Sequence, residues 1–279
     1  MLHVENMTRE DFEFAVSIAN TVNWDMAEED FEFMLKLEPR GCFVLFEDSE
    51  RIGIVTTISF GKIGWLGNLT VSENHRGKGA GALLAGHAIN YLKSKKVKTV
   101  ALYSYLNAIP FYHKLGLKDN SEFIVLKGNR LPFRSISGTR QAAKSEAQKI
   151  VEFDSRCLGF SRAKLLKPLL LNSNNLAFVT VDNENLVGYA IAKVYDDTAQ
   201  IGPVVCAEGR VGVAINLFSA IIDRLKGFEI SACVPEEQKT LLDMLIQQGC
   251  HEDFRVARMF LGEPLGDGCV FAAESLERG

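Results

Sequence analysis

Val71-Ser72-Glu73-Asn74-His75-Arg76-Gly77-Lys78-Gly79-Ala80-Gly81-Ala82-Leu83-Leu84 is the stretch whose reading decides the fold. An apolar run ends at Val71, a polar turn follows, and three alternate glycines lead into a helical pattern. Glycines leave backbone N–H groups unobstructed, and a helix start presents unpaired donors at the positive end of its dipole. Together they form a cradle for an anion of the pyrophosphate kind. Arg76 and Lys78 add formal positive charge, and an arginine can chelate phosphate oxygens.

Three phosphate-binding patterns compete for this loop. The ATP-binding form, G-x-x-x-x-G-K-[ST], fails because no glycine-lysine-hydroxyl triplet is present. The dinucleotide form, G-x-G-x-x-[GA], is met by Gly77, Gly79 and Ala82. It also needs an acidic residue about twenty positions on to hold a ribose. That neighbourhood reads Val100-Ala101-Leu102-Tyr103-Ser104, with no carboxylate. The third form, [QR]-x-x-G-x-[GA], is met completely by Arg76, Gly79 and Gly81.

Working outward, the periodicity alternates strands and helices. Thr8 and Asp11 form a helix-start signal for a helix through about Ala19, and a second helix is predicted over Ala27–Leu37. Strands are predicted over Cys42–Glu47, Ile52–Phe60 and Ile63–Val71, with Asp48-Ser49-Glu50 turning between the first two. A helix begins near Gly79, with an apolar face of Ala80, Leu84, Ala88 and Tyr91/Leu92. A strand over Thr99–Tyr103, a helix over Ala108–Leu115 and a strand over Phe123–Leu126 complete this half.

With these elements in place the sequence resembles the GNAT superfamily of acyl-coenzyme A N-acyltransferases. The trailing Ala108-Ile109-Pro110-Phe111-Tyr112-His113-Lys114-Leu115-Gly116-Leu117 resembles the family's A-I-x-x-Y-x-K-x-G-F element. The resemblance implies an N-acetyltransferase that moves an acetyl or short acyl group from acyl-CoA to an amine by direct attack in a ternary complex. It implies acetyl-CoA as co-substrate, held by the backbones of Leu69, Thr70 and Val71 and by Arg76, Gly77, Lys78, Gly79, Ala80 and Gly81. Tyr112 is the implied general acid that protonates the coenzyme A thiolate.

The departures from the family pattern are specific. Tyr105 stands where an asparagine is common, and Asn107 is the candidate to supply that contact from a shifted position. Many members carry a glutamate on the strand before the loop that deprotonates the acceptor through water. Gly64–Val71 contains no acidic residue, so the base is not identified. Asp25, Glu28 and Glu29 either attract a cationic amine or form a solvated helix start. His75 reads as solvent-facing. A non-catalytic acyl-CoA-binding sensor or scaffold is the alternative function.

The second half repeats the first. Phe43-Val44-Leu45-Phe46-Glu47-Asp48 with Gly53 lies over Phe178-Val179-Thr180-Val181-Asp182-Asn183 with Gly188, and Leu66-Gly67 lies over Ile201-Gly202 at the same offset. Matches at a constant offset point to a duplicated domain. The expected fold is α/β (α+β): two tandem GNAT folds, each with a mixed, mostly antiparallel central sheet flanked by helices. The expected boundaries are 1–130 for a catalytic domain and 131–279 for a degenerate one, with Gly128–Thr139 as linker. In the second half Gly209 replaces the loop's leading basic residue and Leu245 replaces Tyr112. Cofactor binding stays open there; catalysis by the same mechanism is not supported. Asn23-Trp24, Pro39-Arg40-Gly41-Cys42-Phe43 and Asp154-x-x-x-x-Gly159-Phe160-x-Arg162 resemble one tandem-domain subgroup. Asp154 and Arg162 line an acceptor pocket or form a structural ion pair.

Bulk properties exclude other classes. The chain has 279 residues, is 47% hydrophobic and 24% charged, and carries a formal charge of −4. That balance suits a globular protein and gives no reason to expect nucleic acid as a partner. No apolar run is long enough to cross a bilayer, and Met1-Leu2-His3-Val4-Glu5 lacks the features of a secretory signal. The cytoplasm is the expected location. The six cysteines form no C-x-x-C pair and read as free core thiols, and the five histidines are scattered, so no metal is expected. The expected partner is a small-molecule or peptide amine, with the protein a monomer or homodimer.

Overall fold

The computed structural model describes residues 1–129, 138–266 and 268–279. The first half runs β1 (Leu2–Asn6), α1 (Phe12–Asn20), α2 (Glu28–Leu37), β2 (Cys42–Glu47), β3 (Glu50–Phe60), β4 (Ile63–Val71), α3 (Ala80–Ser94), β5 (Thr99–Tyr105), α4 (Ile109–Lys114) and β6 (Lys118–Asn129). The second runs β7 (Thr139–Gln141), α5 (Ala147–Leu158), α6 (Ala163–Leu171), β8 (Leu176–Asp182), β9 (Asn185–Val194), β10 (Thr198–Cys206), α7 (Val211–Arg224), β11 (Glu229–Pro235), α8 (Lys239–Gln247), β12 (His251–Leu261) and β13 (Val270–Ala272).

Local chemistry accounts for most of these boundaries. The Asp11 carboxylate accepts the Thr8 amide at 2.7 Å and the Thr8 hydroxyl at 2.9 Å, opening the first helical segment as the spacing predicts. β2 is apolar without alternation because both its faces are covered. Phe43 and Leu45 pack into the core under α3, while Cys42 and Val44 pack toward α1 and α2. The sequence reading lacked β1, a five-residue strand at the sheet edge that pairs antiparallel with β2 from Leu2↔Glu47 to Asn6↔Phe43. The predicted linker needs correction at its ends: Gly128 and Asn129 close β6 and Thr139 opens β7. Its middle, 130–137, lies outside the described residues.

Among the described residues the strands join one mostly antiparallel sheet, in the order β1-β2-β3-β4-β5-β12-β6-β11-β10-β9-β8-β7, with β13 alongside β10. The two halves exchange strands at the centre. β12 of the second half pairs with β5 from Val256↔Tyr105 to Leu261↔Val100. β6 of the first half pairs with β11 from Glu229↔Asn129 to Pro235↔Phe123. One core lies under α3 and α4, another under α7 and α8. A third gathers residues of α1 and α2 with residues of α5 and α6, joining the halves.

Within the second half Asp154 and Arg162 form a buried ion pair, with Nη2–Oδ1 2.7 Å and Nε–Oδ2 3.2 Å. Tyr189 donates its hydroxyl to Asp154 at 2.6 Å, and Arg162 donates to the Gly279 carbonyl at 2.5 Å. Of the two roles open to this pair from sequence, the structure shows the ion pair.

Candidate active site

β4 and β5 are parallel neighbours for only three residue pairs, Ile63↔Thr99, Gly64↔Val100 and Trp65↔Ala101. Among the described residues no pairing links them beyond Trp65. β4 stays on β3 but bulges: Thr56 pairs with Gly67 and Ile54 with Thr70, so Asn68 and Leu69 together face Val55. Asn68 takes φ +49°, and its buried side chain accepts the Thr56 hydroxyl at 2.8 Å. The bulge and the lost pairing open a gap between Leu69–Val71 and the end of β5.

The glycine loop stands at the mouth of that gap. Gly77 and Gly79 have φ of +75° and +87°, which favour glycine, and a Cβ on either would meet nothing within 4 Å. Among the described residues no backbone or side-chain acceptor takes the amides of residues 77–82; the first amide of α3 with a partner is that of Leu83, bonded to the Gly79 carbonyl at 3.0 Å. Arg76 is placed differently from the sequence expectation. Its amide donates to the Glu73 carbonyl at 3.1 Å, and its Nε to the Val71 carbonyl at 2.8 Å. The guanidinium therefore braces the end of β4 while its two remaining nitrogens stay at the exposed rim. Lys78 caps the Asn74 carbonyl at 2.9 Å. His75 is half-buried rather than solvent-facing, with Nε2 3.1 Å from Glu47.

α4 closes the same side of the gap. Phe111 lies 3.6 Å from the Cβ position of Gly81 and packs edge-on against Tyr112, with ring centroids 4.9 Å apart. Tyr112 is buried in the core that also holds Leu66, Val71, Leu84 and Leu102. Burial pushes its phenol well above the usual tyrosine range, so it carries its proton throughout neutral pH. Asn107 is exposed in the turn after β5, and Tyr105 instead accepts the Trp24 indole N–H at 3.2 Å.

On the opposite face of β4 lie α1, α2 and their connecting loop. Met26 of that loop accepts the Asn68 amide through its sulfur at 3.0 Å. Asp25, Glu28 and Glu29 are exposed, as a solvated helix start would be. The acid that sequence reasoning missed is Asp30: it turns inward, and burial outweighs its bond from the Ala27 amide to hold its pKa above the ordinary range. The spacing gave no sign of this, because the groups packed around Asp30 come from the far end of the chain.

The second half has the same divergence but fills it. β10 pairs in parallel with β11 only from Thr198↔Glu229 to Ile201↔Ala232. Past that point Val204 and Val205 pair with β13, and the next residue, Ala273, donates its amide to the Cys233 carbonyl of β11 at 2.9 Å. The segment therefore bridges both strands and occupies the place where the first half is open. Leu245, the counterpart of Tyr112, is a buried core leucine of α8.

Residues 3–117 match the acetyltransferase (GNAT) family model, and residues 150–268 match a second, acetyltransferase (GNAT) domain model. The sequence is 22% identical over 275 residues to holothin acyltransferase of Pseudoalteromonas sp. (strain SANK 73390), covering 97% of this chain and 92% of that protein. The fold is similar to a putative acetyltransferase from Pyrococcus horikoshii, with TM-score 0.85 and 20% identity over 100% of this chain and 96% of the other. It is also similar to a tandem GNAT protein from the clavulanic acid biosynthesis pathway, with TM-score 0.65 and 13% identity over 94% and 98% of the two chains.

Proposed function

Given a chain that belongs to the GNAT acetyltransferase family and carries two such domains in tandem, we propose that its first half is an N-acyltransferase. It moves an acetyl or other short acyl group from acyl-CoA to the amine of a small molecule or peptide, both bound at once. The observation that carries this reading is the opening between β4 and β5 beside six free amides, 77–82. Those amides and the positive end of α3 suit a diphosphate, and the open space at Gly77 and Gly79 lets it approach the backbone. Leu69, Thr70 and Val71 edge the gap, where an extended arm hydrogen-bonds as a strand would. Arg76 and Lys78 contribute charge at the rim, and Asn107 lies at the far lip.

Bound acyl-CoA supplies an activated thioester carbonyl. The chain's own groups orient it, keep water out of the gap and handle protons. Tyr112 holds its proton at neutral pH and gives it to the departing thiolate, a role typically worth about 10²–10⁴-fold. Calorimetry with acetyl-CoA, followed by thiol detection across a panel of amines, tests the reading. Acetyl-CoA affinity in the micromolar range together with amine-dependent thiol release is expected; no affinity overturns it. The alternative, an acyl-CoA-binding module without turnover, is favoured by the lack of any acid along β4, and binding without thiol release from every amine would establish it.

A further inference from the structure

We propose that the C-terminal segment of the second half completes the acceptor side of the first half's site, with Glu277 as the carboxylate that receives the amine's proton. This rests on the acyl-transfer reading above.

The path of the segment carries the argument. After filling the gap between β10 and β11, residues 273–279 cross to β4. The Trp65 indole donates to the Leu276 carbonyl at 3.4 Å, and Gly279 lies against the Trp65 ring. The backbone of Glu277 lies directly over Gly67. Trp65 and Gly67 share one face of β4, since alternate residues of a strand point the same way. Trp65 packs with α1 and α2, whereas Leu66 packs with α3. Glu277 therefore stands where β4 and β5 have parted, on the face opposite the amide cradle. A carbonyl held in that gap, with its carrier entering beside α3, would take its nucleophile from this face.

The titratable groups around Glu277 are Asp30 on α2, Lys193 on β9, Tyr195 just beyond it, and Glu274 and Arg278 on the segment itself. Glu274 is fully buried and committed to Lys193 at 2.7 Å and Arg278 at 3.0 Å. Asp30 takes the Ala27 amide at 3.0 Å. Among the described residues Glu277 has one ion-pair contact, from Arg278 Nη1 at 2.9 Å, and its side chain is 21% exposed. It is the carboxylate of this group with room to meet a ligand.

The protons balance as follows. An amine arriving as its ammonium gives one proton to Glu277. The freed nitrogen pair forms the C–N bond, and the C–S bond breaks with its electrons on sulfur. Tyr112 protonates the thiolate and is reprotonated by the second proton leaving nitrogen. Glu277 then releases its proton to solvent.

The test uses the full chain, acetyl-CoA and the best primary amine from the panel. Glu277→Gln is expected to leave acetyl-CoA affinity unchanged and lower kcat by about 10²-fold or more. Its residual rate should climb about tenfold per pH unit below the amine's own pKa, where only the free amine reacts. Calorimetry with coenzyme A present should show weaker amine binding in Glu277→Gln, and Glu277→Asp should recover part of both losses. A purely structural residue would shift the melting temperature without altering the pH slope. Unchanged kcat, pH slope and amine affinity in Glu277→Gln overturn the proposal and leave acyl transfer standing. A wild-type chain that releases no thiol with any amine overturns both.

Discussion

Gly67 and Glu277, 210 positions apart, touch so closely that no side chain fits between them. A Cβ at 67 would lie 2.5 Å from the Glu277 carbonyl oxygen and 2.6 Å from its Cα. Gly202, the counterpart of Gly67 in the sequence repeat, approaches the same segment: its Cβ would lie 1.9 Å from the Ala273 carbonyl oxygen. This matched glycine pair thus marks the two points where one passing strand of chain needs clearance.

Gly67→Ala should displace residues 276–279 without touching the glycine loop. We expect acetyl-CoA affinity to be retained and amine-dependent thiol release to fall, with the melting temperature lowered by the lost packing. Calorimetry and the thiol assay on the same sample separate the two effects.

Tyr112→Phe removes a hydroxyl and almost no volume. Acetyl-CoA affinity should be preserved while kcat falls by about 10²-fold or more. Because burial raises the Tyr112 pKa, the wild-type rate should show no loss from ionisation of this phenol up to at least the usual tyrosine value of 10.0.

Calorimetric titration should give one acetyl-CoA per chain. The first half offers an open gap, and the second offers one already bridged by residues 270–273. A stoichiometry of two would mean that β13 gives way to the ligand.

Much of this site was legible in sequence because it is local. The loop from Gly77 to Gly81 offers its own unpaired backbone amides, so three glycines and a helix pattern suffice to announce it. Tyr112 follows from a contiguous element, and the ion pair of Asp154 and Arg162 lies within one helix-turn-helix. What stayed hidden depends on distant partners. Neither the turn of Asp30 inward nor the approach of Glu277 leaves any trace in the spacing of its neighbours. The tie from Arg76 to the Val71 carbonyl was also invisible, since only the curl of the loop brings the two together. The strand predicted over Phe123–Leu126 lies within β6, but hydrophobic pattern does not say which strand is its neighbour.

Acid should loosen the C-terminal segment. Burial alone would raise the pKa of Glu274, but Arg278 and Lys193 outweigh it and hold the carboxyl far below its ordinary 4.5. A depressed folded pKa gives stability that is complete above the unfolded value and disappears as pH falls through the folded one. The loss should therefore begin below about pH 4.5. Glu274→Gln should be less stable at pH 7 and show a shallower acid dependence, read from denaturant midpoints at each pH.

Arg162→Met should be destabilising by about 3–5 kcal/mol, because it strands a buried carboxylate at Asp154. Asp154 is 0% exposed and would keep only the Tyr189 hydroxyl. The paired change Asp154→Asn with Arg162→Met should restore part of the loss, measured by urea unfolding.

The crossing of β6 and β12 binds the fate of the two halves. A lineage that discarded residues 138–279 would strip β5 of its antiparallel neighbour and bare a long strand edge prone to sticking to other chains. The second copy is therefore shielded from deletion by geometry, free to drift at its loop but not at the rung it supplies.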